Sequence, residues 1–408
     1  MLIHDVDLAS SEMLVYMERY VNDGSPSGFT AIHGTSLRTS PQEGEAAFSL
    51  PIVELDESVL HETFGSWPVK LERWGFPIHP DMVPRVLQCA GVRGVIDGPS
   101  VAPTASARTV KITGGNGWYV KLAYRGLLGR TNRQLSRRQA SSAVEVTELI
   151  ERAMKAGRLA PPFHFLRERF GEVVHLADDD GIYEWGYVLR DPTPYPPNDA
   201  IVTLIPGFSL FSRDVCNPTH PSILVQLIET QTLPAATFLF DKLLRPLIDT
   251  YFSVLLTYGL QLEAHAQNIL FALDRSLQPV GIVARDAESI DKDLSLMEEL
   301  GLTTELRLKS IDWKCLRRHQ YNYQIMHSFM YDFKLGDYLV TPIIAEAARN
   351  FEIDVPALES RIAHRAASFV QHLPSDFFPD RQWFSYASIV HEPGKRRPYI
   401  ATPNPRYR

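Results

Sequence analysis

The stretch from Leu239 to Leu256 constrains the fold of this chain most. Leu239/Phe240, Leu243/Leu244, Leu247/Ile248, Tyr251/Phe252 and Leu255/Leu256 recur every four residues. One broad helical face is therefore apolar and has to be buried. Asp241, Lys242, Arg245 and Asp249 interrupt the run and argue against a membrane span. Pro246 predicts a kink or a break between two helices, and Gly259 predicts a C-cap. Two more apolar runs follow, "LEAHAQNILFAL" and "PVGIVARDA", which read as strands joined by a turn at 274–278. With 408 residues, the chain is expected to form two or three domains.

The rest of the chain alternates between β-rich and helical text. Residues 11–22 predict a short helix and 23–50 a loop. A strand, a turn and a short helix after Pro84 are expected from residue 66. "RTVKI" and "WYVKLAY", either side of "TGGNG", predict a hairpin within 109–128. A helix is expected at 139–156, strands at 180–206 with a proline-rich break at 192–197, and helices at 310–350 and 355–373. The fold class is α+β.

Composition excludes some functions. A net charge of −7 rules out a nucleic-acid binder driven by bulk charge. Arg125, Arg130, Arg133, Arg137 and Arg138 form a local basic cluster that suits a bound anion better. Cys89, Cys216 and Cys315 are far apart, so neither a disulfide framework nor a zinc site is expected, and buried thiols in a reducing, cytoplasmic compartment are. The opening "MLIHDVDLASSEML" has neither the basic nor the apolar region of a signal peptide.

The polar residues between the last two apolar runs raise the functional question. Alternation along a strand would put Glu263, His265 and Gln267 on one face. Asn268 would join them through a bulge or a loop end. Asp286 ends the second strand, and a hairpin would bring it beside Glu263 and Asn268. Two carboxylates and an amide are the oxygen ligands that Mg²⁺ takes together with water and phosphate oxygens; a polar hairpin with a satisfied histidine accounts for the same residues. In "PTASART", Ser106, Arg108 and Thr109 supply two hydroxyls and a guanidinium, a cradle for phosphate. Lys121 lies on the returning strand, Arg133 follows in "GLLGRTNRQL", and His79 sits between prolines in "FPIHP". Singly, these also read as cap residues, a solvated lysine and a loop histidine.

Taken in order, these motifs resemble the siderophore synthetases that work independently of non-ribosomal peptide synthetases, the NIS family, of the aerobactin synthetase type. "PIHP" at 77–80 is similar to the family's Pro-Val-His-Pro-Trp-Gln, with Asp81 and Met82 in place of Trp-Gln. "PTASART" matches Pro-Thr-x-Ser-x-Arg-Thr, and "EAHAQN" with "ARD" matches Glu-x-His-x-Gln-Asn and its following Arg-Asp. "VKLAYRGLLGRTNRQL" keeps the family's distance from Lys121 to Arg133, and "GKRRPYIATPNP" resembles the closing segment. The likeness runs from about residue 66 to the end. Family members are longer, and the difference is N-terminal.

The resemblance implies a cupped-hand fold: a reduced, thumb-like segment at 1–65, β-rich fingers at 66–225, a helix-rich palm at 226–408, and ATP in the cleft between them. It implies activation of a small carboxylic acid by ATP and Mg²⁺ as an acyl-adenylate, then attack by an amine or hydroxyl, in siderophore or specialised-metabolite biosynthesis. On that reading Ser106, Arg108, Thr109 and Lys121 hold phosphates, and His79 and Gln267 contact the nucleotide. Glu263, Asn268 and Asp286 hold Mg²⁺, Arg133 and His265 orient the reacting groups, and Lys395 closes on the acid. Neither nucleic acid nor membrane is an expected partner. The short N-terminus raises two expectations, a homo-oligomer that borrows a wall for the cleft or a compact replacement on a monomer. Two alternatives stay open. One is a kinase-like phosphotransferase with Glu263 as the base; the other is a non-catalytic ATP-binding homologue.

Overall fold

The computed structural model describes residues 1–7, 9–22, 38–114, 117–128, 131–158, 163–302, 314–386 and 399–408. Its strands begin with β1 (Phe48–Leu55), β2 (His61–Gly65), β3 (Phe76–Pro77), β4 (Val92–Pro103), β5 (Thr109–Ile112), β6 (Tyr119–Leu122), β7 (Tyr124–Leu128) and β8 (Thr131–Arg133). They continue with β9 (Phe163–Asp178), β10 (Gly181–Tyr195), β11 (Thr203–Pro206), β12 (Leu260–Gln261), β13 (Ile269–Leu273) and β14 (Pro279–Ala284). One 11-stranded sheet runs in the order β11-β13-β14-β9-β10-β6-β5-β4-β1-β3, with β2 also on β9, while β7 and β8 form a separate hairpin.

β9 unites the molecule. Its start, Phe163–Phe165, runs parallel to β14, and its later residues pair antiparallel with β10 and β2. Phe163 and Phe165 lie in a helix-rich core with Leu243, Leu247, Tyr251 and Leu255 of the apolar stripe. Phe170, Val173 and Leu176 lie in a second, sheet-based core with Ile52, Val120 and Trp185. Residues 1–65 feed both: Met17 and Val21 enter the first core, and Phe48, Leu50 and Ile52 enter the second.

The apolar stripe is helical throughout, and it passes from one helical element to another just before Pro246. Leu239–Leu244 widens into a π-helix, and an α-helix resumes over Arg245–Tyr258. Pro246 falls in the first turn of that new segment, where a missing N–H is tolerated. Around residue 66 the expected strand is absent except for two-residue β3. Pro68 instead opens a turn, with the Leu71 N–H on its carbonyl. The Trp67 indole donates to the Leu71 carbonyl at 2.9 Å and packs edge-on against Trp74. Of the three cysteines, all free, only Cys89 is buried; Cys315 is partly exposed and Cys216 exposed, which corrects the expectation of three buried thiols. No helix among the described residues is long and apolar enough to cross a membrane.

Gly259 ends the helix with φ +62° and donates to the Leu255 carbonyl. A Cβ there would lie 2.6 Å from Met297 Cγ and 3.0 Å from the Asp293 carbonyl. Left-handed backbone with a side chain costs about 1–2 kcal/mol before any clash. Gly259→Ala is therefore expected to lower the urea midpoint by at least that equivalent; an unchanged midpoint would contradict the tight approach.

Candidate functional site

A cavity of about 360 Å³ opens where the two cores meet. Its walls come from the loop 104–109, from β6, β8 and β10, from the turn 263–268, and from 285–289, with Lys314, Lys334 and Tyr386 completing it. Of the residues singled out in the sequence, Ser106, Arg108, Thr109, Lys121, Arg133, Glu263, His265, Gln267, Asn268 and Asp286 all line it. Lys395 lies outside the described residues.

The 104–109 loop is shaped by its own hydroxyls. The Ser106 hydroxyl accepts the Thr109 N–H at 3.0 Å, and Thr104 donates to the Thr109 carbonyl at 2.7 Å. Ala107 takes a positive φ of 56°. His79 supports that residue from behind. Its Nε2 meets the Ala107 carbonyl at 2.9 Å, and its Nδ1 accepts the Asp81 N–H at 3.2 Å. His79 is fully buried and does not line the cavity.

"EAHAQN" is a turn and not a strand. The His265 N–H bonds the Glu263 carbonyl, and the Asn268 and Ile269 N–H groups converge on the His265 carbonyl. The His265 ring accepts the Gln267 N–H at 3.1 Å. These local bonds compete with a ladder, so β13 starts only at Ile269. The expectation of one strand face holding Glu263, His265 and Gln267 is thus corrected; the turn brings them to the cavity instead. The hairpin itself is present, with Ile269 opposite Ala284.

Charges alternate across the cavity floor. Glu168, fully buried in β9, accepts from Arg190 at 2.9 Å. Arg190 also donates to Asp286 at 2.8 Å. Lys121 bonds Asp286 and reaches Glu288 at 2.7 Å, and Arg108 reaches Glu288 at 3.2 Å. Lys334 pairs with Glu263 at 2.8 Å, Lys314 lies 3.7 Å from Asp291, and Arg285 pairs with Glu18. Among the described residues, Arg133 is the one cavity cation without a carboxylate partner. Its Nε is buried and bonded to nothing.

These surroundings set the protonation states. Burial pushes the Asp286 carboxyl up, but Lys121 and Arg190 outweigh it and hold it below the usual carboxylate range. Burial likewise opposes Glu263, which Lys334 and Lys314 hold low. Burial lowers His265 to about 3, so its ring is neutral. Burial, then the Arg108 charge beside it, lowers Arg133 to about 10, which still leaves it charged at neutral pH.

The oxygen donors suit a hard divalent cation. Glu263, Asn268 and Asp286 supply two carboxylates and an amide, and Glu288 adds a buried Oε2 without a partner. Among the described residues no group of three His, Cys, Asp or Glu side chains is already gathered to hold a metal. The five-arginine cluster does not form one site. Arg125 pairs with Asp178 and stacks on Tyr183, Arg137 pairs with Glu62 at the surface, Arg138 is exposed, and Arg130 lies outside the described residues. Sequence reasoning missed Arg190, Glu288, Lys314 and Lys334. Glu288 follows Asp286 by two positions in a motif already singled out, and Lys334 is the one cation in the apolar run "FMYDFKLGDYLV".

Residues 92–211 match the IucA / IucC family model, and residues 237–328 match the model described as ferric iron reductase FhuF-like transporter. No curated protein matches the sequence. Among solved structures, ATP-bound aerobactin synthetase IucA from a hypervirulent pathotype of Klebsiella pneumoniae superposes with a TM-score of 0.64 at 17% identity, over 90% of this chain and 71% of that one. The petrobactin biosynthesis protein AsbB from Bacillus anthracis superposes with a TM-score of 0.72 at 14% identity, over 98% of this chain and 76% of that one. The aerobactin synthetase IucC gives 0.61 at 14%, over 83% and 65%. The chain has the NIS synthetase fold. In this NIS fold, the family-matching segment 92–211 carries the 104–109 loop, Lys121, Arg133 and Arg190, one whole side of the cavity.

Burial holds His79 at about 4, well below its ordinary 6.5. A histidine kept neutral in the fold gives up stability as pH falls below 6.5, because only the unfolded chain then takes the proton. Between pH 6.5 and 4.5 this amounts to on the order of 2 kcal/mol. His79→Gln is expected to flatten the fall of the denaturation midpoint across that window; parallel curves for the two proteins would contradict the buried neutral ring.

Proposed function

We propose that this chain is an ATP- and Mg²⁺-dependent carboxylate ligase. It would convert a small carboxylic acid to an acyl-adenylate and pass the acyl group to an amine or hydroxyl in siderophore or specialised-metabolite biosynthesis. The observation that carries the reading is Arg133. Six cations in the cavity wall already have carboxylate partners, and Arg133, whose buried Nε has no hydrogen-bond partner, is the described one without a carboxylate. It would meet an anion that is not part of the protein. The IucA and AsbB folds, the first solved with ATP, and the family match over one cavity wall support the same assignment.

Attack of a carboxylate on the α-phosphorus brings two anions together, and the residues are suited to that problem. Ser106, Arg108, Thr109 and Lys121 would hold phosphate oxygens, and Gln267 would contact the nucleotide. Arg133 would hold the acid and the α-phosphate at once, since its planar fork spans two oxygens. His265, neutral, would donate a hydrogen bond without adding charge. Mg²⁺ held by Glu263, Asn268 and Asp286 would neutralise phosphate charge as pyrophosphate leaves. His79 acts from behind, fixing the Ala107 backbone. A reaction that depends on ATP would run in the cytoplasm.

An exchange assay of labelled pyrophosphate into ATP, run over a panel of carboxylic acids, is expected to respond to at least one acid. Arg133→Lys should then lose roughly 10²-fold in exchange rate, as for a removed preorganised anion donor. An unchanged rate with only ATP affinity altered would take Arg133 out of the reacting centre.

A further inference from the structure

The N-terminal helix Ser11–Tyr20 has no part in the chemistry above, yet one of its side chains reaches the back of the site. Glu18 is almost wholly buried, with its side chain 2% exposed. Its Oε1 accepts from Arg285, and its Oε2 accepts the Ala105 N–H at 3.3 Å. Ala105 belongs to the loop of Ser106, Arg108 and Thr109, and Arg285 directly precedes Asp286. The same guanidinium donates through Nε to the Gln267 carbonyl at 2.8 Å. The 104–109 loop and the segment starting at Arg285 therefore meet at one carboxylate contributed from outside both, and Arg285 ties the 263–268 turn to them.

We infer that Glu18 is a positioning residue of the nucleotide site. It fixes the 104–109 loop against the 267–268 turn and against Asp286, so that phosphate donors and metal oxygens are set at a constant separation. Its helix is itself held in place. Met17 is buried in the helix-rich core, the Tyr20 carbonyl accepts the Val215 N–H at 2.9 Å, and Arg19 is bonded to the carbonyls of Pro41, Gly44 and Ala46. The helix Ser11–Tyr20 thereby acquires a role as a brace that joins the two halves of the cleft. Burying a carboxylate and a guanidinium together contributes little net stability against an apolar pair, so alignment is the physical gain. The inference rests on the reading of the cavity as a nucleotide site.

Glu18→Asp tests it. The charge on Arg285 keeps its partner, but a side chain one methylene shorter cannot span Arg285 and Ala105 at once. The melting temperature is expected to stay within a few degrees. The KM for ATP should rise about tenfold, the equivalent of one good hydrogen bond to a charged group, while the KM for the acid holds. A folded variant with both constants unchanged would overturn the role. Should the variant fail to fold, amide exchange on the unmodified chain decides. ATP with Mg²⁺ is expected to slow exchange across 12–20 as well as 104–109, and slowing confined to 104–109 would overturn the role. An unmodified chain that binds no ATP overturns the cavity assignment, and this inference with it.

Discussion

Six buried or half-buried charges alternate across the floor of the cleft, from Glu168 through Arg190, Asp286, Lys121 and Glu288 to Arg108. The rest of the structure is organised around this chain. Removing an ion from water costs several kcal/mol, and a single buried pair seldom recovers it. Alternation shares each counter-charge between neighbours, so no member is buried uncompensated. The order also crosses the molecule: Arg108 and Lys121 come from β5's loop and β6, Glu168 and Arg190 from β9 and β10, and Asp286 and Glu288 from the segment after β14. Asp286 is held at a positive φ of 75°, with the Ser289 hydroxyl on its carbonyl, which aims its carboxylate at both cations. Sites are where such unfavourable local conformations are tolerated.

The sheet makes this meeting possible. β9 is long enough to pair with β14 at its start and with β10 and β2 beyond, so one ladder joins the sheet-based core to the helix-rich one. Arg108, Lys121 and Arg190 on one side and Glu263, Asn268 and Asp286 on the other then line one cavity. Arg133 remains as the surplus charge. The other described cations of the cavity wall each have a carboxylate partner.

Much of this was legible in the sequence, and the failures have physical causes. The stripe from Leu239, the Gly259 cap and the hairpin ending at Asp286 were readable because period and punctuation agree there. β4 and β9 were not read. "VRGVIDGPSVAP" carries two glycines and two prolines, and "FHFLRERFGEVVHLAD" carries buried Glu168 and Glu172, charges that make sense only once their partners from distant strands are in place. The turn at Glu263–Asn268 was read as a strand because its apolar alternation is real, but the His265 carbonyl and ring captured the local N–H groups. Ten cavity-lining residues were picked out by motif order, whereas Arg190, Lys334 and Glu18 belong to no motif. His79 was assigned to the nucleotide because of its motif; its ring is buried against the Ala107 carbonyl.

The central claim is that a carboxylate attacks the α-phosphorus of ATP in this cleft. Oxygen-18 placed in the carboxyl group of an acid that supports turnover tests it directly, with an amine acceptor present and mass spectrometry of the nucleotide product. Attack at the α-phosphorus followed by acyl transfer predicts one labelled oxygen in AMP. Unlabelled AMP, or ADP as the nucleotide product, would contradict it.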